Sequence, residues 1–310
     1  MTIGIKAIAS YVPEQTIDNV AQARAFGEPD SFVTEKLGAK VLPRMAAEED
    51  TSDLCVKAVH ALQAKAPDLD LDAIQALVVV TQNGDGNQLP HTAAVVQRKL
   101  DLPTHIAAFD LSLGCSGYIY GLYAVKGFLD ASGLTNALLI TADPYSKIID
   151  PSDRVTSLLF GDAATVTWLG EQPEYHLGKV QYGTDGTGET FLQVQDGTLH
   201  MHGRQVFNFA ATKVAPHIKS TIEQAGLNED QVDRIIVHQG SLAIVDAIAR
   251  RFKHKERFVR DIEQTGNTVS SSIPLLLEKY ILDQGAQDQH IALSGFGVGF
   301  SWASAVLHRA

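Results

Sequence analysis

One of the two cysteines in the 310-residue chain stands where a nucleophile could work. Cys115 lies in the stretch LGCSG, between an apolar strand-like run and a segment with helical apolar spacing. A thiol at the start of a helix meets unpaired backbone N–H groups and the positive end of the helix dipole, which favour the thiolate. We therefore expect a lowered pKa for Cys115 and a role as nucleophile, the alternative being a small buried apolar side chain.

Two further polar residues in the second half of the chain suit the same chemistry. His238 ends the apolar run RIIVH, a position at the carboxyl end of a strand where α/β sheets carry functional groups. Asn267 follows Gly266 just before a helical segment. It fits a helix N-cap, and its amide also fits a hydrogen-bond donor to a developing negative charge. Both interpretations of Asn267 are open at this point.

The elements that would position these residues are predicted from short apolar runs separated by segments of helix length. Such strands are typical of an α/β protein with mostly parallel sheets, covered by helices on both faces. The predicted strands are residues 76–80, 105–111, 137–141, 234–238 and 290–294.

The two halves of the chain repeat one plan. DLDLDAIQALVVVTQNG is echoed by GLNEDQVDRIIVHQGS, and the segment that begins GCSG is echoed by the segment that begins GNTV. In this alignment Cys115 matches Asn267, and Thr81-Gln82 matches His238-Gln239. We predict a duplicated fold with an N-terminal half (1–170) and a C-terminal half (171–310). Equivalent loops would then face each other, so that Cys115, His238 and Asn267 converge.

Composition excludes several classes of function. A formal net charge of −11 does not suit a nucleic-acid-binding protein, and no apolar run approaches the roughly 18 residues of a membrane span. The first residues lack the apolar core of a signal peptide, so we expect a cytoplasmic protein. The cysteines form no metal or disulfide pattern. The basic stretch 249–257 fits either a solvated helix face or a docking patch for an acidic partner.

Five motifs together make the chain resemble the 3-oxoacyl-(acyl-carrier-protein) synthase III family of the thiolase fold, almost from end to end. They are DLSLGCSG around Cys115, DPSDRVTSLLFGDAAT, VHQGS, GNTVSSSIP and GFGVGFSWASA. The resemblance implies two pseudo-two-fold related halves in a layered α/β/α/β/α arrangement. It also implies a homodimer that needs no metal or other cofactor, with thioesters of coenzyme A or phosphopantetheine as substrates.

The resemblance assigns the chemistry as well. Cys115 would be acylated by an acyl thioester, and His238 and Asn267 would stabilise the enolate formed when a malonyl thioester loses carbon dioxide. The backbone N–H groups of Cys115 and Val298 would form the oxyanion hole. Val298 replaces a usual glycine, and we expect its backbone to need a conformation that valine disfavours.

The resemblance also implies the substrate contacts, and here the chain departs from the family. Phe32 and Lys36 replace a Trp and an Arg, so coenzyme A is expected to bind less well. Arg154 matches an arginine near the adenine, the local alternative being an ion pair with Asp153 or Asp150. The remaining expected contacts are Ser241 on the pantetheine arm, Leu89 at the acyl pocket, Phe207 in the substrate site, and Arg250, Arg251 and Lys253 as a docking face for acyl carrier protein.

These departures affect substrate recognition and leave the three catalytic positions intact. We therefore expect a condensing enzyme with an altered substrate in a specialised pathway. The alternatives are an acyltransferase that moves the acyl group to an oxygen or nitrogen nucleophile, and a non-catalytic subunit. The retained Asn267 disfavours the first alternative, and the complete Cys–His–Asn set disfavours the second.

Overall fold

The computed structural model describes residues 3–310, which form a mixed α/β fold. The strands are β1 (Gly4–Tyr11), β2 (Thr16–Asp18), β3 (Val41–Pro43), β4 (Ala76–Val80), β5 (Ala107–Leu111), β6 (Asn136–Ala142), β7 (Ala164–Gly170), β8 (Tyr175–Thr184), β9 (Leu192–Gln195), β10 (Thr198–Met201), β11 (Arg234–Val237), β12 (His290–Gly297) and β13 (Ser301–Arg309). The α-helices are α1 (Asn19–Ala25), α2 (Thr51–Lys65), α3 (Thr92–Lys99), α4 (Gly117–Ser132), α5 (Arg154–Ser157), α6 (Gly203–Phe209), α7 (Ala215–Gln224), α8 (Leu242–Ala249) and α9 (Ser272–Leu277).

Nine strands form one sheet in the order β11-β12-β13-β8-β1-β7-β6-β4-β5. All five predicted strands are present in it. The prediction of a mostly parallel sheet is wrong: only β4–β5, β4–β6 and β11–β12 are parallel, and the other neighbours are antiparallel. The antiparallel pairs all involve β1, β7, β8 or β13, which the sequence analysis had not assigned. A short turn joins β12 to β13, and such a connection allows only antiparallel pairing.

The strand order repeats on the two sides of the sheet. Outward from the centre, one side runs β1-β7-β6-β4-β5 and the other runs β8-β13-β12-β11, continued by a parallel bridge between Ile235 and Phe258. The two sides meet through the antiparallel pairing of β1 with β8. This repeat supports our proposal that the halves divide at residue 170, between β7 and β8.

The two halves of the sheet form two layers, with helices between them and on both outer faces. Helices α4 and α9 lie in the middle and share one apolar core with strands of both halves. Helices α2 and α3 cover the outer face of the N-terminal half, and α7 and α8 cover that of the C-terminal half. The arrangement is the layered α/β/α/β/α order of the thiolase fold. Within the described part of the chain, no helix combines the length and apolarity needed to span a membrane.

The repeat places Cys115 and Asn267 at equivalent chain positions, and it places His238 at the end of a strand. Cys115 stands two residues before the start of α4, and Asn267 stands two residues before the 3-10 turn Val269–Ser271 that leads into α9. His238 directly follows β11. The two central helices and one strand end therefore determine where these side chains lie.

Candidate active site

Cys115, His238 and Asn267 line one cavity of about 360 Å³. The cavity takes its walls from both halves of the chain, and all three side chains are almost completely buried. The convergence expected from the internal repeat is therefore present in the structure. A thiol, an imidazole and a carboxamide in one largely apolar cavity are able to support nucleophilic chemistry on a carbonyl substrate.

The environment of the Cys115 thiol differs from the one expected of a helix end. Burial, followed by the negative charge of Asp143, raises the pKa of the thiol to about 12, although the backbone N–H groups of Val298 and Cys115 lower it. The expected lowering of the pKa is wrong for the protein without substrate. Cys115 precedes Ser116, the cap residue of α4, so it lies just outside the first helical turn. Desolvation outweighs the helix-end effect there.

The two backbone N–H groups expected to form an oxyanion hole lie near the thiol. The N–H of Val298 and the N–H of Cys115 are close enough to the Cys115 sulfur to lower its pKa. They are therefore placed beside the carbonyl oxygen of any acyl group carried on that sulfur. The expected strain at Val298 is absent, because the positive φ of this turn, 130°, falls on Gly299. An N–H donor does not depend on its side chain, so valine serves in this position.

Glycine is required beside the nucleophile for a steric reason. A Cβ atom built on Gly297 would lie 2.7 Å from both Cβ and Sγ of Cys115. A Cβ on Gly295 would lie 2.7 Å from the carbonyl oxygen of Cys115. The glycines of the segment GFGVG therefore allow β12 to approach the thiol closely, in addition to supplying the turn.

His238 is held as a neutral imidazole. It is 3% exposed, and burial lowers its pKa to about 3. Its Nδ1 lies 2.8 Å from the hydroxyl of Ser272, which in turn lies 3.1 Å from the carbonyl oxygen of Val269. The ring of Phe296 packs edge-on against it at a centroid distance of 5.6 Å. The orientation of the imidazole is thus fixed, and Nε2 is the ring nitrogen left for a substrate.

Asn267 combines both interpretations of its sequence position. Its Oδ1 accepts a hydrogen bond of 2.9 Å from the N–H of Val269, as a capping side chain does. Its Nδ2 donates to no group within residues 3–310, so the amide N–H groups remain for a ligand. Val269 has a φ of 53°, which a β-branched residue rarely adopts and which costs roughly 1–3 kcal/mol. The turn that presents Asn267 therefore carries strain.

The mouth of the cavity holds part of the expected substrate site. Phe32, Arg154 and Phe207 line it, and Phe32 belongs to a helical turn, Phe32–Leu37. The guanidinium of Arg154 and the ammonium of Lys36 each lie 5.7 Å from the ring centroid of Phe32. Lys36 itself does not line the cavity. Two cations and an aromatic ring therefore lie together here, and their contact with substrate stays a prediction.

The ion pair of Arg154 is not the one considered from the sequence. Arg154 pairs with Glu28 at 2.5 Å. Asp153 instead caps α5 by accepting hydrogen bonds from backbone N–H groups, and Asp150 accepts from Ser152. The local alternative of a pair with Asp153 or Asp150 is therefore wrong.

Ser241 lines the cavity and also caps a helix. Its hydroxyl accepts a 3.3 Å hydrogen bond from the N–H of Ile244 at the start of α8. The cap explains why a short hydroxyl side chain fits this position. Leu89, by contrast, is 89% exposed and does not line the cavity of this chain.

The basic segment lies at the opposite end of the helix that begins at the cavity. Arg250, Arg251 and Lys253 follow α8 and are exposed. Lys253 pairs with Asp230 at 2.7 Å, and neither arginine forms an ion pair with any described residue. Because α8 has eight residues, this face lies only about 12 Å from the cavity mouth.

Several residues of the site were missed from the sequence. Ser272 and Phe296 hold His238, and Gly297 approaches Cys115, but no local pattern distinguishes them. The other missed residues form an apolar wall around Cys115, and they come from segments far apart in the sequence, so that only the folded chain brings them together. They are Leu37, Leu159, Phe160, Leu192, Met201 and Val206. Within residues 3–310, no cluster of three or more His, Cys, Asp or Glu side chains is arranged to hold a metal ion.

Comparison with known proteins identifies the family of the chain. The family described as 3-oxoacyl-[acyl-carrier-protein (ACP)] synthase III matches residues 109–186, and its C-terminal counterpart matches residues 222–309. The β-ketoacyl-[acyl-carrier-protein] synthase III of Staphylococcus haemolyticus is 32% identical over 99% of both chains.

Solved structures extend the comparison. The β-ketoacyl-[acyl-carrier-protein] synthase III from Thermus thermophilus is 33% identical, with a TM-score of 0.91 over 99% of both chains. The priming β-ketosynthase of a polyketide biosynthetic pathway is 26% identical, with a TM-score of 0.89 over 99% of this chain and 96% of that one. With its fold, its cavity and both family matches in agreement, the chain belongs to the 3-oxoacyl-(acyl-carrier-protein) synthase III family.

Proposed function

We propose that the protein is a condensing enzyme that joins an acyl group, carried on Cys115, to a malonyl thioester with loss of carbon dioxide. The observation that carries this proposal is the single buried cavity that holds Cys115, His238 and Asn267 together. The product is a 3-oxoacyl thioester. Family membership supports the reaction class, and the geometry supports the role of each residue.

In the first half-reaction the sulfur of Cys115 attacks the carbonyl carbon of an acyl thioester. A new S–C bond forms, the S–C bond of the donor breaks, and the thiol proton passes through Nε2 of His238 to the departing thiolate. The two N–H groups beside the sulfur stabilise the tetrahedral oxyanion. A neutral His238 is needed here because an imidazolium could not accept the proton.

In the second half-reaction a malonyl thioester loses carbon dioxide. The electron pair of the broken C–C bond becomes an enolate, whose oxygen accepts hydrogen bonds from Nε2–H of His238 and Nδ2–H of Asn267. This requires the other imidazole tautomer, which the Ser272 hydroxyl permits because it can donate to Nδ1 as well as accept from it. The enolate carbon attacks the acyl-cysteine, a C–C bond forms, and Cys115 leaves as the thiolate.

The substrate site favours a carrier-protein thioester over coenzyme A. At the cavity mouth, Phe32 has the cations of Lys36 and Arg154 near its ring, and Arg154 is already paired with Glu28, so an adenine ring finds phenylalanines there and an arginine that is already engaged. The unpaired Arg250 and Arg251 lie on the same side of the molecule and suit an acidic acyl carrier protein. The polyketide priming β-ketosynthase among its relatives supports a specialised pathway for this chain.

We also propose that two copies of the chain pair through β5. This strand is the edge of the nine-stranded sheet, and all five of its residues are only half-buried, including Phe109 and Leu111. An edge strand of this kind offers unpaired backbone groups to a second copy. Leu89, exposed on one chain, would then reach the acyl end of the partner's cavity. Light scattering should give twice the chain mass, and Phe109→Lys should give the single chain.

A cytoplasmic location belongs to the same proposal, because the mechanism needs a reduced thiol and both cysteines are free. The alternative of acyl transfer to an oxygen or nitrogen nucleophile gives Asn267 no function beyond its capping bond. Condensation uses both ends of that side chain.

The test is intact-protein mass after incubation with acyl-coenzyme A and acyl-carrier-protein thioesters. We expect a mass increment that Cys115→Ser abolishes and that is larger with carrier-protein donors. Carbon dioxide release from a malonyl thioester should then fall at least 100-fold in Asn267→Ala while acylation persists. Undiminished release in that variant would contradict the enolate role.

A further inference from the structure

Beneath the active site lies a buried carboxylate that the mechanism above does not use. Asp143 follows β6 directly and is 1% exposed. It forms no ion pair with any described lysine or arginine. Its oxygens accept hydrogen bonds from the N–H of Gln82 at 2.7 Å and from the hydroxyl of Ser270 at 2.6 Å. These two partners belong to different halves of the chain.

Each hydrogen bond of Asp143 leads to a part of the site. Gln82 accepts a hydrogen bond from the hydroxyl of Tyr145, and its Oε1 lies 2.6 Å from where a Cβ of Gly114 would stand, directly before Cys115. Ser270 belongs to the strained turn that follows Asn267. The carboxylate therefore connects the Gln82 loop, which lies beside Cys115, to the turn that presents Asn267.

A purely structural role would not favour a charged group here. Burying a carboxylate without a cation is costly, and a neutral amide could make similar hydrogen bonds. Burial raises the pKa of Asp143 to about 6, so the group is mostly ionised at neutral pH. The ionisable groups that face it are Cys115 and Tyr145, and its charge raises the pKa of both. Its other neighbours, Thr81, Gln82 and Ser270, are neutral.

We propose that Asp143 is a positioning residue of the condensing site: it joins the Gln82 loop, which lies against Gly114 and Cys115, to the turn that carries Asn267. The proposal deepens the proposed function and rests on it for the role of Asn267. A consequence of this position is that the negative charge of Asp143 adds to the effect of burial on the Cys115 thiol and favours its protonated form.

The charge can be tested without any substrate. We would measure the rate at which iodoacetamide alkylates Cys115 between pH 6 and pH 10, by peptide mass spectrometry. In Asp143→Asn we expect the rate at pH 8 to rise at least fivefold and the rise of the rate with pH to begin at a lower pH. The matched control is Asp162→Asn, since Asp162 is also a buried, hydrogen-bonded carboxylate but does not raise the pKa of Cys115. Superimposable profiles for wild type and Asp143→Asn would overturn the role of the charge.

The positioning half has its own test, which also serves if Asp143→Asn does not fold. Ser270→Ala removes one hydrogen bond to Asp143 and leaves its carboxylate in place. Because that hydrogen bond lowers the pKa of Asp143, the alkylation rates are compared at pH 8 and above, where the carboxylate stays ionised. We expect the kcat for decarboxylation to fall about tenfold, with acylation and these alkylation rates unchanged. An unchanged kcat would overturn the positioning role. If wild type releases no carbon dioxide with any donor, the proposed function fails, while the alkylation result still decides the role of the charge.

Discussion

The closest steric constraint on the nucleophile comes from Gly297, and it gives a sharp prediction. In Gly297→Ala the new methyl group would lie 2.7 Å from Sγ and Cβ of Cys115, whereas ordinary contact begins at 3.4 Å. Cys115 would have to move by about 0.7 Å, and it is packed too tightly to do so freely. Since a 1 Å misplacement of a reacting group can cost about 100-fold in rate, we expect acylation of Cys115 to slow roughly 30- to 100-fold.

The assay is the rate of mass gain on Cys115 with a saturating acyl thioester. Gly127→Ala is the matched control, because nothing lies within 4 Å of a Cβ at Gly127, which is exposed within α4. Alanine there should leave acylation unchanged and stabilise the helix by about 0.5–1 kcal/mol. Near-wild-type acylation in Gly297→Ala would refute the argument that glycine is present for close approach to the thiol.

Three other predictions follow from the same contacts. Ser272→Ala removes the hydrogen-bond partner of the His238 ring. Since such a bond contributes about 1 kcal/mol, the kcat for decarboxylation should fall roughly five- to tenfold, with KM little changed. Ser272→Thr keeps the hydroxyl and should retain activity. His238 has a pKa lowered to about 3 from its ordinary 6.5, so below pH 6.5 the unfolded chain binds a proton that the folded chain does not. When the pH is lowered from 7 to 5, the free energy of unfolding measured in urea should therefore fall by about 2 kcal/mol more in wild type than in His238→Asn. Leu122→Ala in the fully buried central helix should lower the free energy of unfolding by about 3 kcal/mol, measured in urea, and a loss below 1 kcal/mol would contradict the packing described for α4.

The local features of the site could be predicted from the sequence because they depend on short segments. An apolar strand, a glycine turn and a helix place Cys115, and a strand end places His238, wherever these elements later pack. The internal repeat added the long-range information, since it matched Cys115 with Asn267 and so predicted their convergence. The antiparallel strands were missed because their sequences lack the continuous apolar runs of β4 or β6: β8 is mostly half-buried, and threonine or serine interrupts the buried strands β7 and β13.

The pKa of the thiol could not be predicted locally, because two long-range effects decide it. Burial by the apolar wall and the charge of Asp143 both act through the folded protein, and together they exceed the effect of two N–H donors. The partner of Arg154 was mistaken for a similar reason. Glu28 is distant in sequence, whereas the neighbouring Asp153 is engaged in capping its own helix.

The positions that depart from the family differ physically from those that are retained. Phe32 and Lys36, which depart from it, lie beside the matching Arg154 at the solvent-exposed mouth, where a cation near an aromatic ring contributes only about 0.5–1 kcal/mol. Substitution there alters donor affinity by small steps and leaves the fold intact.

Cys115, His238 and Asn267 are buried. His238 and Asn267 are fixed by hydrogen bonds whose loss would leave an unsatisfied group in the interior, and Cys115 is enclosed by apolar side chains and by Gly297. Even Val298 fits this division, because its contribution is a backbone N–H that any side chain preserves. A chain can therefore change the thioester it accepts at the mouth while the chemistry at the base of the same cavity stays constant.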